Sequence, residues 1–374
     1  MKAEKLAKLD NYFRVGVSRV LPPKTLTALY SAGRKIFLKS LVKQNELNQY
    51  IHCEDKHIVL WDLIFGNRIF NAAGMFKTGL GYELAAKQGA GAFLAGTTTG
   101  LARGGNIKNG IKHPFIPLPK SAAALNWMGL PNPGHEVVAD KLAKIPHKKL
   151  CPIGVSVSLD PELPQEKALD LLINGLTAYN KAGVCFVEIN ESCPNVPHGA
   201  VERDSSGLDK NLIQRLEFVS EKFLKKRDGN FPVILKLSND TDPLQLDPLL
   251  DIMLDMGYDG INLGNTSTKY DLYKTMLDKR DQTLMEYFTT AFGGGLSGKP
   301  LKVNSLMLAS KAAGLVKSKN PKHEFHVIRT GGIETREDLI ASEKAGISLN
   351  QWFSGYFEAF AKHGHDLYKD ILSY

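Results

Sequence analysis

The chain has few cysteines, and the four among its 374 residues are not spaced as metal ligands. Cys53, Cys151, Cys185 and Cys193 form no C-x-x-C pair and no Cys/His cluster, so we expect neither a metal site nor a disulfide framework, and a reducing compartment. A run of about 18 apolar residues, which a transmembrane helix requires, is also absent. No uninterrupted apolar segment follows the first lysines, so no secretory signal is expected. With 43% hydrophobic residues, the chain can bury a large core.

Acidic residues are scarce at the N-terminus. Residues 1–50 hold ten Lys or Arg against three Asp or Glu, so they carry +7 of the net charge of +8. Residues 51–374 are nearly neutral, which argues against a nucleic-acid groove because such binding needs many phosphate contacts. Apolar residues lie between the N-terminal cations, and Pro22-Pro23 divides the segment, which predicts two short helices. These helices would form either a packing arm with a solvated charged face or a peripheral membrane contact.

A dinucleotide-binding fingerprint is missing after the first apolar run, where residues 71–77 read Asn-Ala-Ala-Gly-Met-Phe-Lys; this argues against an open doubly wound sheet. Instead, eight short apolar runs alternate with helical stretches, as in a parallel sheet covered on both faces. We predict an α/β fold, a (β/α)8 TIM barrel over residues 51–374 with an N-terminal helical extension over 1–50. The predicted strands are Arg68–Ala73, Ala92–Thr97, Ile153–Val157, Val184–Ile189, Val233–Leu237, Gly260–Leu263, His326–Arg329 and Leu349–Phe353. The predicted helices are Gly79–Gln88, Gln165–Lys181, Leu212–Lys226, Pro243–Met256, Ser305–Ser318 and Arg336–Lys344.

The connections after strands two and six are longer than a barrel needs, and we predict that they are binding loops. Both leave the carboxyl ends of strands, where barrels build their active sites. Gly331-Gly332 follows strand seven, and Phe353-Ser354-Gly355 follows strand eight. Backbone amides at these two positions commonly bind phosphate, so the pair predicts a phosphorylated ligand or cofactor.

Polar side chains cluster at the same predicted strand ends. Lys236 lies inside strand five, where a buried cation needs a partner: an anion in the barrel mouth, such as a reduced flavin or a carboxylate, or a structural ion pair. Lys77 follows strand one and is a second cation on this face. Cys193 follows strand four and is either a proton-transfer group or a small core thiol. Amide and hydroxyl side chains lie at the same strand ends as Cys193, and they predict a planar ligand rich in hydrogen-bonding groups. These residues are Asn126, Asn190, Asn195, Asn265 and Thr266.

Together these motifs resemble the dihydroorotate dehydrogenases, the FMN-dependent barrels of pyrimidine synthesis. The resemblance extends from about residue 55 to the C-terminus. It rests on five motifs in the order of the family: Asn71-Ala72-Ala73-Gly74, Asn126-x-Met128-Gly129, Asn190-x-x-Cys193-Pro194-Asn195, Gly294-Gly295-Leu296-Ser297-Gly298 and Gly331-Gly332-Ile333.

The resemblance implies oxidation of dihydroorotate to orotate, with Cys193 as the base that removes the C5 proton while C6 gives hydride to the flavin. It implies substrate contacts from Lys77, Asn126, Trp127, Met128, Gly129, Leu130, Asn190, Asn195, Asn265 and Thr266. It implies FMN contacts from Ala73, Gly74, Thr97, Ser156, Asn190, Lys236, Gly264, Gly298, Gly331, Gly332, Phe353 and Ser354.

The electron acceptor is where the motifs disagree. The cysteine base and the sequences at residues 128–132 and 193–197 resemble the soluble class, which reduces fumarate or NAD. The basic extension and residues 294–300 resemble the membrane-associated class, which uses a serine base and a quinone. Because the extension carries most of the net charge, we expect quinone and peripheral attachment at the cytoplasmic side of a membrane. Fumarate or NAD, with a cytoplasmic location, is the alternative.

Three residues depart from the pattern of the family. Phe76 stands where Asp is usual, Ser156 where Asn is frequent, and Arg329 where a small residue is usual. These departures leave open a related flavoprotein that acts on another pyrimidine or enone. A barrel that has lost catalysis and serves as a binding protein is a third possibility, which the retained Cys193 and Lys77 disfavour.

Overall fold

The computed structural model describes residues 2–43, 51, 57–146, 151–192 and 207–373. Eight parallel strands form its main sheet, and their order is β1-β8-β7-β6-β5-β4-β3-β2, so that each strand lies beside its neighbours in the chain, as in a (β/α)8 barrel. The strands are β1 (Ile69–Asn71), β2 (Phe93–Thr98), β3 (Ile153–Val157), β4 (Phe186–Asn190), β5 (Val233–Leu237), β6 (Gly260–Leu263), β7 (His326–Thr330) and β8 (Leu349–Trp352). The predicted fold class is confirmed.

The seam between β1 and β2 is closed partly by a side chain. Asn71 Nδ2 donates to the carbonyl of Leu94 over 2.7 Å, and Asn71 Oδ1 accepts from the amide of Leu94 over 3.2 Å. The loop after β1 then continues the pairing, because the amide of Gly96 donates to the carbonyl of Phe76. The amide side chain thus takes the place of a backbone partner and nearly closes the barrel.

Helices cover the barrel and extend it at the N-terminus. They are α1 (Ala3–Val20), α2 (Pro23–Lys43), α3 (Tyr82–Gln88), α4 (His135–Leu142), α5 (Gln165–Lys181), α6 (Lys210–Lys222), α7 (Leu246–Asp255), α8 (Tyr270–Lys274), α9 (Lys279–Ala291), α10 (Lys302–Lys319), α11 (Arg336–Lys344), α12 (Ser354–His363) and α13 (Leu367–Leu372). The bounds of α5 and α11 match the prediction, and a capping box of Thr335 and Asp338 explains the sharp start of α11. The predicted first turns of two helices are instead separate 3-10 turns, Gly79–Gly81 and Pro243–Gln245.

The bounds of β3, β5 and β6 match the prediction, and the other five strands differ from it by one or two residues at one or both ends. β4 begins at Phe186 rather than Val184, because the amide of Val184 donates to the carbonyl of Tyr179 and so completes the end of α5.

The two long connections contain strands as well as loops. Phe115–Leu118 and Ala123–Asn126 pair with each other, and Gly295–Gly298 adds to them as a third antiparallel strand. This small sheet stands beside the carboxyl ends of the barrel strands.

The two N-terminal helices pack against this end of the molecule. They have 18 and 21 residues, so they are longer than the short helices predicted. Arg14 in α1 pairs with Glu358 in α12 over 2.6 Å, and Ser31 in α2 accepts a hydrogen bond from the amide of Phe115 over 2.9 Å. Within the described ranges, no helix combines the length and the apolar character needed to cross a membrane.

Candidate active site

A cleft lies at the carboxyl ends of the barrel strands and encloses about 1120 Å³ of space, part of it open to solvent. Parallel strands direct their last residues and the following loops to this one face, so segments distant in sequence meet there. The predicted residues that line the cleft are Ala73, Gly74, Lys77, Thr97, Asn126, Met128, Leu130, Asn190, Lys236, Asn265, Thr266, Gly298, Gly331, Gly332, Phe353 and Ser354.

Four predicted residues do not line the cleft. Trp127 packs against Phe292, with ring centroids 6.5 Å apart, and the carbonyl of Gly129 accepts a hydrogen bond from Arg103. Ser156 lies behind the wall, with its hydroxyl 3.0 Å from that of Thr97. Gly264 lies against the backbone of β7. Cys193 and Asn195, the predicted base and one predicted substrate ligand, lie outside the described residues.

One wall of the cleft is a hydrogen-bonded set of amides and hydroxyls. Asn190 Nδ2 donates to Thr97 Oγ1 over 3.1 Å, and Asn190 Oδ1 accepts from Ser192 Oγ over 2.8 Å. Asn265 Nδ2 donates to Ser192 Oγ over 2.9 Å. The buried Thr266 Oγ1 has no hydrogen-bond partner among the residues that the structure describes. Because buried polar atoms are nearly always paired, this hydroxyl is suited to a polar ligand in the cleft.

The opposite end of the cleft is built from backbone amides. Gly332 has φ +69°, and a Cβ there would approach the backbone of Lys302 to 2.5 Å, so this position requires glycine. α12 begins beside it, and the first amides of a helix have no acceptor within the helix. The Ser354 hydroxyl is 3.1 Å from that of Ser297. Backbone amides at two glycines, a helix N-terminus and a hydroxyl are a fitting set for a phosphate group.

Arg329 lies fully buried beneath this end of the cleft and does not line it. It donates to the carbonyl of Lys302 and to Ser305 Oγ, both over 3.0 Å, and Ser305 in turn donates to the carbonyl of Gly331 over 2.6 Å. Burial lowers the pKa of the Arg329 guanidinium to about 10, which leaves it charged at neutral pH. Phe76, the other large departure from the family pattern, stacks on Phe93 away from the cleft.

Lys236 forms the structural ion pair that was one of the two alternatives. Its Nζ lies 3.0 Å from Glu188 Oε1 and 3.0 Å from Gln351 Oε1, and all three residues are buried. Lys236 and Gln351 also line the cleft, so the ion pair does not remove the cation from the ligand site. Glu188 and Gln351 were not predicted, although a polar residue inside an otherwise apolar strand is the same signal that identified Lys236.

A second cavity adjoins the cleft between the N-terminal helices and the barrel and encloses about 1530 Å³, likewise partly open. Most of its lining is apolar and includes Leu6, Phe13, Val17, Leu29, Ile36, Phe37, Pro117 and Phe357. It shares Arg34, Phe115, Phe353 and Ser354 with the cleft. Arg34 Nε is buried without a hydrogen-bond partner in the described part of the chain, and burial lowers the pKa of this guanidinium to about 10. The sequence gives no local signal for Arg34, because its position depends on how α2 packs.

The two cysteines in the described ranges are poor candidates for proton transfer. Cys151 is buried, and Cys185 is partly buried. Burial raises the pKa of both thiols, which disfavours the thiolate form. Neither residue lines the cleft.

The barrel and the cleft at the carboxyl ends of its strands define the class of the protein as a (β/α)8-barrel enzyme. The sequence profile of the dihydroorotate dehydrogenase family matches residues 57–373. The chain therefore belongs to this family of oxidoreductases, which are in general flavin-dependent. The predicted resemblance is confirmed.

Individual relatives agree with this assignment. The dihydroorotate dehydrogenase (quinone) of Dichelobacter nodosus is 31% identical over 309 residues, which cover 82% of this chain and 83% of that protein. The protein of the same name from Pseudoalteromonas atlantica is 27% identical over 322 residues and covers 86% of this chain and 88% of its own. The crystal structure of DHODH in complex with ferulenol from Eimeria tenella shares the fold, with a TM-score of 0.73 and 20% identity over 91% of this chain and 89% of that chain.

Proposed function

We propose that the protein is an FMN-dependent dihydroorotate dehydrogenase of pyrimidine biosynthesis that transfers electrons to a quinone. The observation that carries the proposal is the pair of adjoining cavities, one polar with a phosphate-type end and one apolar, which share the wall formed by Phe353 and Ser354. Membership of the family supports the reaction, and the names of the relatives support the acceptor.

The residues of the cleft fit FMN. The amides of Gly331 and Gly332 and the start of α12 would hold its phosphate, and Lys236 would contact the ring system. Ala73 and Gly74 line the cleft beside Phe353, and small residues at these positions leave room for a flat ring. Gly74 has φ +95°, a backbone conformation that favours glycine. When bound, FMN would supply the acceptor for hydride and the two-electron link to a quinone, which would take up two electrons and two protons.

Dihydroorotate would lie at the amide-rich wall. Lys77 would pair with its carboxylate, and Asn126, Asn190, Asn195, Asn265 and Thr266 would bind the ring. The Thr266 hydroxyl, which has no hydrogen-bond partner among the described residues, supports this placement, since a ring carbonyl or ring N–H would satisfy it.

Cys193 would act as the base. It removes the C5 proton while C6 loses hydride, so that the C5–C6 double bond of orotate forms and two electrons leave the substrate. Ser192, its neighbour in sequence, is held between Asn190 and Asn265 at the amide-rich wall, which supports a location of Cys193 near the substrate. The burial and raised pKa of Cys151 and Cys185 leave them unsuited to the role.

The apolar cavity would admit the quinone. Its size and lining suit a lipophilic ring and tail rather than fumarate or NAD, which are charged. Arg34 lines both cavities, and its Nε, which lacks a hydrogen-bond partner in the part of the chain that the structure describes, would donate to a quinone oxygen.

Peripheral membrane contact would supply the quinone. α1 and α2 expose large apolar residues, including Leu9, Tyr12, Phe13, Val20, Leu29 and Ile36, and residues 1–50 carry most of the net positive charge. An apolar surface bordered by cations is typical of helices that lie in the interface of an anionic bilayer.

Anaerobic flavin reduction tests the reaction. The purified protein should be yellow and should lose its visible absorbance when dihydroorotate is added without oxygen. Cys193→Ala should slow this reduction at least a hundredfold and leave the flavin bound, whereas Cys185→Ala, the control, should reduce at the wild-type rate. Flavin that stays oxidised in the wild type would rule out the substrate.

Reoxidation tests the acceptor separately. Decylubiquinone should reoxidise the reduced protein faster than fumarate or NAD. Arg34→Leu should slow reoxidation by decylubiquinone about tenfold, because one hydrogen bond from a charged group to the quinone is lost. Reduction by dihydroorotate should stay unchanged. If fumarate is the faster oxidant, the quinone assignment is wrong and the rest of the proposal stands.

A further inference from the structure

Five polar side chains from five neighbouring strands meet inside the barrel, at the floor of the cleft and in the layer below it. We call this set the barrel polar cluster, and it consists of Glu188, Lys236, Asn262, Thr330 and Gln351. Glu188 is 0% exposed and Lys236 is 2% exposed. A barrel interior is usually filled by apolar branched side chains, so a buried carboxylate and ammonium at this level require an explanation.

Glu188 is the acceptor at the centre of the cluster. Its Oε1 accepts from Lys236 Nζ over 3.0 Å, and its Oε2 accepts from Asn262 Nδ2 over 2.6 Å and from Gln351 Nε2 over 2.7 Å. Both oxygens of the carboxylate are therefore satisfied without solvent. The contacts fix the carboxylate from three strands, β5, β6 and β8.

The amide oxygens of the cluster are satisfied in the same way. Gln351 Oε1 lies 3.0 Å from Lys236 Nζ and 3.2 Å from Thr330 Oγ1, and Thr330 Oγ1 donates to Asn262 Oδ1 over 2.8 Å. These bonds also fix the orientation of the Asn262 and Gln351 side-chain amides, because each donates to Glu188 through its nitrogen. The cluster thus has a single arrangement that directs Lys236 against Glu188.

The cluster divides between the surface of the cleft and the layer below it. Lys236, Thr330 and Gln351 line the cleft, whereas Glu188 and Asn262 do not. A ligand in the cleft therefore contacts the Lys236 ammonium directly, whereas the Glu188 carboxylate acts on it only through its electrostatic field, from one layer further away. Two opposite charges 3.0 Å apart act on a ligand largely as a dipole, with a field much weaker than that of an unpaired ammonium.

We propose that Glu188 is a positioning residue that offsets the charge of Lys236 and thereby keeps the reduction potential of the bound flavin low. The proposal rests on the proposed function, since it requires a flavin in the cleft. Two-electron reduction adds negative charge to the ring system, and an unpaired ammonium beside it would stabilise the reduced form. With Glu188 present, the reduced flavin is less stabilised and gives its electrons to the acceptor more readily.

The test is the reduction potential of the bound flavin, measured against a reference dye under equilibrium conditions. Glu188→Gln keeps the shape of the side chain and removes its charge. We expect the equilibrium constant for two-electron reduction to rise at least tenfold, a shift of about 30 mV to more positive potential. Lys236→Met removes the cation and should shift the potential in the opposite direction.

Asp259→Asn is the matched control. Asp259 is also a buried carboxylate in an ion pair, with Arg227 at 2.6 Å, but it precedes β6 and so lies at the amino end of the barrel, away from the cleft. The Asp259→Asn variant should destabilise the fold and leave the reduction potential of the flavin unchanged. Each variant is compared at equal flavin occupancy, with its thermal unfolding recorded beside the potential.

An unchanged or more negative potential in Glu188→Gln would overturn the inference, even if that variant were less stable. This outcome differs from a failure of the proposed function. If the wild-type protein bound no flavin, or if dihydroorotate did not reduce it, the proposed function would fail before any variant was made.

Discussion

Gly332 restricts the backbone conformation at the end of the cleft where we propose that the phosphate of FMN binds. Its φ of +69° disfavours any side chain, and a Cβ would come within 2.5 Å of the backbone of Lys302. We expect Gly332→Ala to displace the loop and weaken FMN binding at least tenfold, as measured by fluorescence titration of the flavin-free protein. Gly346→Ala is the control, because Gly346 has a similar φ of +77° but its nearest neighbour is 3.7 Å away. Equal FMN affinity in the two variants would show that the phosphate lies elsewhere.

His135, the first residue of α4, links stability to pH. Burial lowers the pKa of His135 to about 4, against about 6.5 in the unfolded chain. Between these values the unfolded chain binds a proton that the folded chain does not, so the free energy of unfolding is highest above pH 6.5 and falls as the pH drops towards 4. From pH 7.5 to 5 this residue should account for a loss of about 2 kcal/mol.

Urea unfolding at the two pH values measures this loss. His135→Gln removes the titrating group, so the variant should lose about 2 kcal/mol less than the wild type over the same pH range. Both proteins are compared at equal flavin occupancy. The same pH dependence in the two proteins would contradict the assignment.

At the scale of single residues, the sequence predicted the cleft better than the layer beneath it. Lys77, Asn190 and Gly332 were identified because they follow strands, and the carboxyl ends of parallel strands meet. Arg34 could not be identified in this way, because its place depends on the docking of a helix far away in the sequence. The base, Cys193, stays a prediction, since it lies outside the described residues.

Among the elements, β1 and β2 are neighbouring barrel strands that form no ladder with each other in the described structure and are bridged partly by Asn71. Asn71→Leu would leave the amide and the carbonyl of Leu94 without the partners that Asn71 provides. An unsatisfied buried polar group costs about 1–3 kcal/mol, so we expect a loss of about 2–5 kcal/mol in the free energy of unfolding. Urea unfolding measures it.

Asn350→Leu on the neighbouring β8 is the control. Asn350 is equally buried, but its Nδ2 makes only a 3.4 Å contact with the carbonyl of Arg68, and its Oδ1 has no partner among the described residues. Asn350→Leu should therefore lower the free energy of unfolding clearly less than Asn71→Leu does. If both variants lost the same stability, the barrel would not depend on the side-chain closure of its seam.

The strands of the barrel and of the small antiparallel sheet show what the hydrophobic pattern of the sequence can and cannot predict. All eight barrel strands were identified, because a strand covered on both faces has a nearly continuous apolar character. The small sheet of Phe115–Leu118, Ala123–Asn126 and Gly295–Gly298 was not, because its third strand is glycine-rich and pairs with residues far away in sequence. Neither composition nor periodicity contains information on such a pairing.

The N-terminal helices set how the whole molecule would meet a membrane. Tyr12 and Val20 are 80% and 81% exposed on α1, and burial of such side chains in a bilayer contributes roughly 1–2 kcal/mol each. Replacing both by Ser should weaken binding to anionic phospholipid vesicles at least tenfold in a sedimentation assay. Leu244→Ser with Val303→Ser removes two equally exposed apolar side chains outside these helices and should leave binding unchanged. Equal losses in the two double variants would point to nonspecific adsorption.

The wall of Phe353 and Ser354 between the two cavities has a consequence for steady-state kinetics. If the dihydropyrimidine and the quinone occupy opposite sides of this wall, neither has to leave before the other can bind. Double-reciprocal plots at several fixed quinone concentrations should then be parallel, as for a ping-pong scheme with two sites. Orotate should inhibit competitively against dihydroorotate without competing with the quinone, whereas a single shared site would make orotate compete with both.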